Sequence, residues 1–274
     1  MRMPTSKNLH PVLQWRGRTE DMGFLNKLGI GLGAQAARQS ARPAAGERSA
    51  HKGNGSVAAV GTNRPPEPQE TSRGSNGLKE FLWNLDGLGR GTLLDLGPAW
   101  QTTLTFFIER GFRVTSDDIL RDWSLFLAEE EAKAKDKEKD EITPESYAER
   151  TPESRAKRFL QENLQYPPAS FDALLLWDVI DYMEPSLAKL MISQLTDLLR
   201  PGGVVFAMFH SKKPAGFQRY RVADTSTLQV LSAKTIFPAQ KVYQNREIQE
   251  LFGRFRSMKS FVGRDQLRET LFIK

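Results

Sequence analysis

The 274 residues carry 39 Lys+Arg against 33 Asp+Glu, a net charge of +6 at neutral pH, with no cysteine and only three histidines. This leaves room for one sizeable domain with appendages and excludes disulfides, thiolate metal sites and a cysteine nucleophile. His10, His51 and His210 stand far apart in the chain, so no histidine-based metal cluster is expected, and no apolar run reaches the length of a membrane span.

The basic excess has one location. Residues 1–80 hold 12 basic against 6 acidic side chains, and from 81 onward the two are equal at 27 each. Within that balanced part the 122–153 stretch is acidic, while 200–274 holds 14 bases against 5 acids. A solvated tail and ordinary charged faces account for this pattern; a basic rim that meets an anionic substrate or nucleic acid is the rival account. From Gly33 to Gly77 the chain is mostly Gly, Ala, Ser, Pro, Gln and Arg. Such a segment buries too little apolar surface to offset the entropy of ordering it. Residues 1–76 are therefore expected to be a largely disordered basic tail. Inside it, Met22 to Leu32 is a short apolar patch broken by glycines. Glu20 and Asp21 argue against an export signal read from Met1, whereas a start at Met22 would look more like one. The lack of cysteine is compatible with a reducing cytosol, and a cytoplasmic location is the expectation.

From residue 78 the pattern changes. Apolar residues at 78, 81, 82, 85 and 88 have helical spacing, with Trp83 off the stripe at its rim. Gly91-Thr-Leu-Leu-Asp95 is a short apolar run ended by Leu96-Gly97-Pro98, which fits a strand buried on both faces. Thr102 to Arg110 predicts a helix with Gly111 as its C-cap, and Phe112 to Ser116 a second strand closed by Asp117-Asp118. Strand, glycine turn, helix, strand and acid is the order of a nucleotide-type βαβ crevice, with an acid about twenty residues after the turn to meet ribose hydroxyls. A charged helical insertion follows at about 123–155, broken by Pro144 and Pro152. Phe159-Leu160 begins a short strand in this reading, and Phe171 to Trp177 is a central one. Ser186 to Leu199 is an amphipathic helix stopped by Pro201-Gly202-Gly203, and Val204 to Phe209 another buried strand. Arg246 to Arg254 is a short helix, and Met258–Val262 with Leu267–Ile273 a terminal antiparallel hairpin. The fold class is α/β: a doubly wound, mostly parallel, seven-stranded sheet with helices on both faces.

Four phrases in this order resemble the class I S-adenosylmethionine-dependent methyltransferases over about residues 77–274. They are Leu94-Asp-Leu-Gly-Pro98, Gly111-Phe-Arg-Val-Thr-Ser-Asp-Asp118, Phe171-Asp-Ala-Leu-Leu-Leu-Trp-Asp-Val-Ile180 and Leu199-Arg-Pro-Gly-Gly-Val-Val205. The terminal hairpin is similar too, since that fold ends with an antiparallel seventh strand inserted beside the sixth. The resemblance implies S-adenosyl-L-methionine as cofactor. It sets Asp95, Leu96, Gly97, Ala99 and Gln101 around the methionine end, Asp118 at the ribose with Asp117 as its neighbour, and Glu162-Asn163 near the adenine. Trp177 and Asp178 would line the methyl-donor pocket. Ala99 and Gln101 stand where the family has its second and third glycines, a departure that crowds the backbone approach.

Methyl transfer from a sulfonium needs alignment first and a base only for weak nucleophiles. Asp178 and His210 are the candidate catalytic groups, beside the plainer readings of a cofactor contact and a loop histidine. Asp181 could cap the next helix, and Tyr182 could be packing alone. Residues 214–244, with Phe217, Arg219, Tyr220, Arg221, Lys234 and Lys241, read slightly better as ordinary surface than as an acceptor site. A small-molecule acceptor is expected. Two rival functions stay open: a non-catalytic methyltransferase-fold binding protein, with nucleic acid among its partners, and a nucleotide-dependent oxidoreductase lacking Gly-x-Gly-x-x-Gly.

Overall fold

The computed structural model describes residues 70–137 and 151–274. Most of the expected tail, including the Met22–Leu32 patch, lies outside the described residues, as do 138–150 of the charged insertion.

Nine strands and six α-helices follow one another in the described chain. They are β1 (Glu70–Gly74), α1 (Asn76–Leu85), β2 (Gly91–Asp95), α2 (Gln101–Ile108), β3 (Phe112–Ser116), α3 (Ile119–Lys137), α4 (Pro152–Asn163) and β4 (Phe171–Trp177). A 3₁₀ turn (Val179–Tyr182), α5 (Pro185–Leu198), β5 (Leu199–His210), β6 (Gln218–Val222), β7 (Thr227–Ser232), α6 (Asn245–Leu251), β8 (Ser257–Val262) and β9 (Leu267–Ile273) complete it. The main sheet has six strands in the order β3-β2-β4-β5-β9-β8. The β3/β2, β2/β4 and β4/β5 pairs are parallel, while β5/β9 and β9/β8 are antiparallel. The last strand of the chain is thus inserted between β5 and β8.

The continuous apolar runs become central strands because their alternate residues feed two separate cores. Leu94, Leu174, Leu176, Val205 and Ala207 face the core built with α3, α4, α5 and α6. Leu93, Leu175, Phe206 and Met208 face the one built with α1 and α2. Gly111 ends the α2 turn at φ +86, and an added Cβ there would meet the Gly89 carbonyl oxygen at 2.5 Å, so only glycine serves. Trp83 is 73% exposed, at the rim of α1.

Two expectations need correction. The seven-stranded sheet is six-stranded, because Phe159-Leu160 lies in α4 rather than in a strand. Thr151 caps α4 through its hydroxyl, with Pro152 at the first turn where a missing N–H costs nothing. The proline that reads as a breaker is a helix start. Ala156, Phe159 and Leu160 then face the core on helical spacing, Phe159 meeting Trp123 and Phe126 of α3 edge-on. The described structure also takes in residues before 77: Glu70–Gly74 is a strand, and Ser75 caps α1. Second, 218–222 and 227–232 are strands. With β1 they form an antiparallel three-stranded sheet, β1-β7-β6. Tyr220, Val222, Leu228 and Val230 bury its inner face against the α1/α2 side of the main sheet. Among the described residues no helix is long and apolar enough to cross a membrane.

Candidate functional site

Parallel strands end together, and the ligand crevice of an open α/β sheet lies outside those carboxyl ends. Here they deliver Asp95 from β2, Asp117 and Asp118 just past β3, Trp177 and Asp178 from β4, and His210 from β5.

At the β2 end Asp95 is buried. Its Oδ1 accepts hydrogen bonds from the Gly97 amide (2.9 Å) and Trp177 Nε1 (2.7 Å), while Oδ2 has no partner. Burial pushes its pKa from 3.8 up to about 7, the two hydrogen bonds offsetting only part of that rise. Gly97 is required by its neighbour: a Cβ there would meet Trp177 Cδ1 and Nε1 at 2.7 Å. Trp177 holds φ +51, a left-handed conformation that a bulky side chain adopts only when its surroundings impose it. It sits at a register shift in the β4/β5 ladder. Its indole therefore lies over the very backbone that a ligand at this turn would approach.

At the β3 end, Asp118 Oδ1 and Oδ2 both accept from Arg219 Nη2, at 2.9 and 3.0 Å. Arg219 comes from β6 and is nearly buried, its guanidinium also stacked over the Phe217 ring at 4.8 Å. Asp117 Oδ2 accepts from the Tyr166 hydroxyl at 2.6 Å, and the Asp117 amide bonds the Asp95 carbonyl at 2.8 Å, tying the two strand ends together.

The β4 and β5 ends form a second polar cluster. Asp178 Oδ2 meets His210 Nε2 at 3.0 Å and accepts from the Tyr220 hydroxyl at 3.1 Å. Asp181 Oδ2 accepts from the His210 amide at 2.7 Å, but its Oδ1 and the Tyr182 hydroxyl are buried without partners. Burial lifts the Asp181 pKa to about 7. Burial pulls the His210 imidazole down, yet the hydrogen bond and charge of Asp178, with help from Asp181, outweigh it and hold His210 above its ordinary value. Burial, with the Asp178 and Asp181 charges behind it, raises the Tyr182 hydroxyl well above its usual range.

The structure thus joins Asp95, Gly97 and Trp177 in one contact set and Asp178 with His210 in another. Leu96 is a core residue whose amide bonds the Leu175 carbonyl at 2.9 Å. Ala99 and Gln101 are exposed at the start of α2, and Gln101 Nε2 donates to Thr105 Oγ1 along the helix, so the glutamine does not fill the crevice. Asn163 ends α4, its amide donating to the Phe159 carbonyl within the helix, and Glu162 is exposed beside it. Asn163 is not at a strand end. Tyr166 is the crevice residue that the sequence does not single out. Arg219 and Tyr220, which read slightly better as ordinary surface than as an acceptor site, are both buried. The alternation of basic and aromatic side chains from Phe217 to Arg221 was the available signal.

No family model and no curated protein matches the chain. Solved structures similar to it include a Burkholderia thailandensis 1,6-didemethyltoxoflavin-N1-methyltransferase with bound S-adenosylhomocysteine. The identity is 17%, covering 73% of this chain and 78% of that one, with a TM-score of 0.38. The N-methyltransferase NodS of Bradyrhizobium japonicum, also in complex with S-adenosylhomocysteine, is 13% identical over 72% of this chain and 85% of its own, at 0.35. An S-adenosylmethionine-dependent methyltransferase of Mesorhizobium loti is 10% identical over 71% and 96%, at 0.36.

Proposed function

We propose that the chain is an S-adenosylmethionine-dependent methyltransferase acting on a small-molecule acceptor, with the cofactor at the β2–α2 turn. One observation carries the reading. Asp95 and Asp118 stand at the carboxyl ends of adjacent parallel strands with Gly97 between them, and Asp95 keeps a buried, unpartnered Oδ2 there. The residue types fit the group. Asp118 would accept the ribose hydroxyls, the free amides at the start of α2 would meet the methionine carboxylate, and Asp95 Oδ2, the oxygen left open, would face the methionine end. When bound, the group supplies an electrophilic methyl on a sulfonium with its leaving group built in.

The chain's own task is to align the acceptor and, for a weak nucleophile, to remove its proton. His210 suits the second part. Asp178 orients the imidazole through Nε2, and Nδ1, which has no hydrogen-bond partner among the described residues, is the atom that would hold the proton. Because Asp178 keeps the ring's pKa high, turnover of an acceptor that must be deprotonated is expected to rise with pH through the His210 titration.

A second reading, a non-catalytic binding protein on the same fold, is favoured by the Trp177 indole against Gly97 and by Arg219 on Asp118. Calorimetry separates the readings. S-adenosylhomocysteine is expected to bind, and Asp118→Ala to weaken it at least about tenfold, the scale of a lost charge-assisted hydrogen bond. Binding of reduced nicotinamide instead would favour the oxidoreductase, and binding of neither the scaffold. Nucleic-acid binding through the tail is tested by its salt dependence after truncation. The cut must fall before Glu70, because β1 pairs with β7.

A further inference from the structure

We propose that β6 is a strap across the mouth of the crevice and that Arg219 is its catch, so that an adenosyl ligand enters only when the Arg219–Asp118 pair opens. The inference rests on the cofactor position proposed above. In the main sheet β3 and β4 flank β2. Two successive residues of β6 are fastened to those two flanking strand ends. Arg219 holds both oxygens of Asp118 past β3, and Tyr220 bonds Asp178 past β4 while stacking on Trp177, with centroids 6.1 Å apart and planes 12° from parallel. Consecutive residues of a strand point to opposite sides, so a strand laid across the β2 end reaches one neighbour with each. Trp177, on which Tyr220 stacks, itself covers Gly97 and donates to Asp95, so the strap reaches the β2 end through that indole. A third tie, the Val222 amide to Thr103 Oγ1 at 3.0 Å, fixes the far end of β6 to α2.

The ties differ in what a ligand would need. Tyr220 and Val222 are built into the core behind the turn. Arg219 alone occupies the acid assigned to the ribose, and it does so with both carboxylate oxygens engaged. A diol that binds Asp118 must displace the guanidinium or share a carboxylate whose charge it has already neutralised. Either way the arginine lowers affinity. Once released, the guanidinium would face the incoming ligand.

The test is calorimetric titration of S-adenosylhomocysteine into wild type, Arg219→Gln, Arg219→Lys and Asp118→Ala, with urea unfolding of each to show that it is folded. Arg219→Gln is expected to bind roughly ten- to a hundredfold more tightly than wild type, the range of a hydrogen bond to a charged group. Arg219→Lys, which keeps the charge, should stay within a few-fold of wild type, and Asp118→Ala should bind at least about tenfold more weakly than wild type. Equal or weaker binding by Arg219→Gln, with wild type still binding, overturns the strap and leaves the methyltransferase reading standing. No binding by any variant, the opened one included, overturns that reading and the strap with it.

Discussion

Asp95→Asn isolates the proton that the crevice holds at the end of β2. Burial moves the Asp95 pKa from 3.8 to about 7. The folded state therefore binds this proton more tightly than the unfolded chain does. The resulting stabilisation is complete below pH 3.8 and is lost as pH rises to about 7. At about 1.4 kcal/mol for each pH unit, the span amounts to roughly 4 kcal/mol as an upper bound. Asparagine keeps the acceptor that serves the Gly97 amide and Trp177 Nε1 and carries no titrating group. Urea unfolding at pH 5 and pH 8 should show wild type losing stability between the two, and Asp95→Asn losing up to about 3 kcal/mol less, since most of the titration falls in that interval. Asp181, raised to about 7 by its own burial, adds a parallel slope that Asp181→Asn removes separately. Identical pH dependence in wild type and Asp95→Asn would mean that Asp95 is ionised in the fold at pH 5, and the argument from its burial would fail.

Gly97→Ala places a methyl 2.7 Å from the Trp177 indole and should cost about 1–3 kcal/mol by overpacking, seen as a lower urea midpoint; an unchanged midpoint would show that the indole is free to move. Thr151→Ala removes the cap of α4 and should cost about 1 kcal/mol with no effect on ligand binding. Phe159→Ala opens the aromatic contact with Trp123 and Phe126 and should cost about 3–5 kcal/mol, whereas a residue in a frayed segment would cost little. Asp178→Asn removes the interactions that raise the His210 pKa, so the imidazole titration followed by NMR should move to lower pH.

The central strands were legible because their signal is local. Leu93, Leu94 and the Ala173–Trp177 run are apolar without interruption, which only a strand covered on both faces accommodates at that length. Gly97 and Gly111 marked their turns for the same reason. Residues 159–160 read as a strand because Pro152 looks like a breaker, although Thr151-Pro152 is equally a helix start. The alternation of Tyr220 with Val222 and of Leu228 with Val230 was present in the sequence but hidden among basic residues that suggest surface. Glu70–Gly74 gave no sign at all. It contains no apolar residue, and it is a strand only because β7 supplies its hydrogen bonds from more than 150 residues away. The partners of the site acids share that difficulty: Asp118 meets Arg219 at a separation of 101 residues. Sequence placed the carboxylates and left open what faces them.

What faces them separates a structural cluster from a site. At the opposite ends of the strands, Asp172 is complete: Arg200 Nη1 donates to both oxygens at 2.7 Å, and the Thr92 amide and hydroxyl fill Oδ2 at 2.7 and 2.9 Å. Glu269 is complete as well, with Arg73 Nη1 on one oxygen and the Gly77 amide on the other, each at 2.6 Å. These groups hold the fold together and have nothing left to offer. Among the described residues, the buried carboxylate oxygens without a partner are Asp95 Oδ2 and Asp181 Oδ1, and the Tyr182 hydroxyl is bare beside the second. All three lie at the carboxyl ends of β2 and β4. An unsatisfied buried acceptor costs about 1–3 kcal/mol, so a sheet that only needed to be stable would have filled these positions or made them apolar. Ser170 Oγ, just before β4, is unpartnered as well, so it is the unfilled carboxylates in particular that gather at the carboxyl ends.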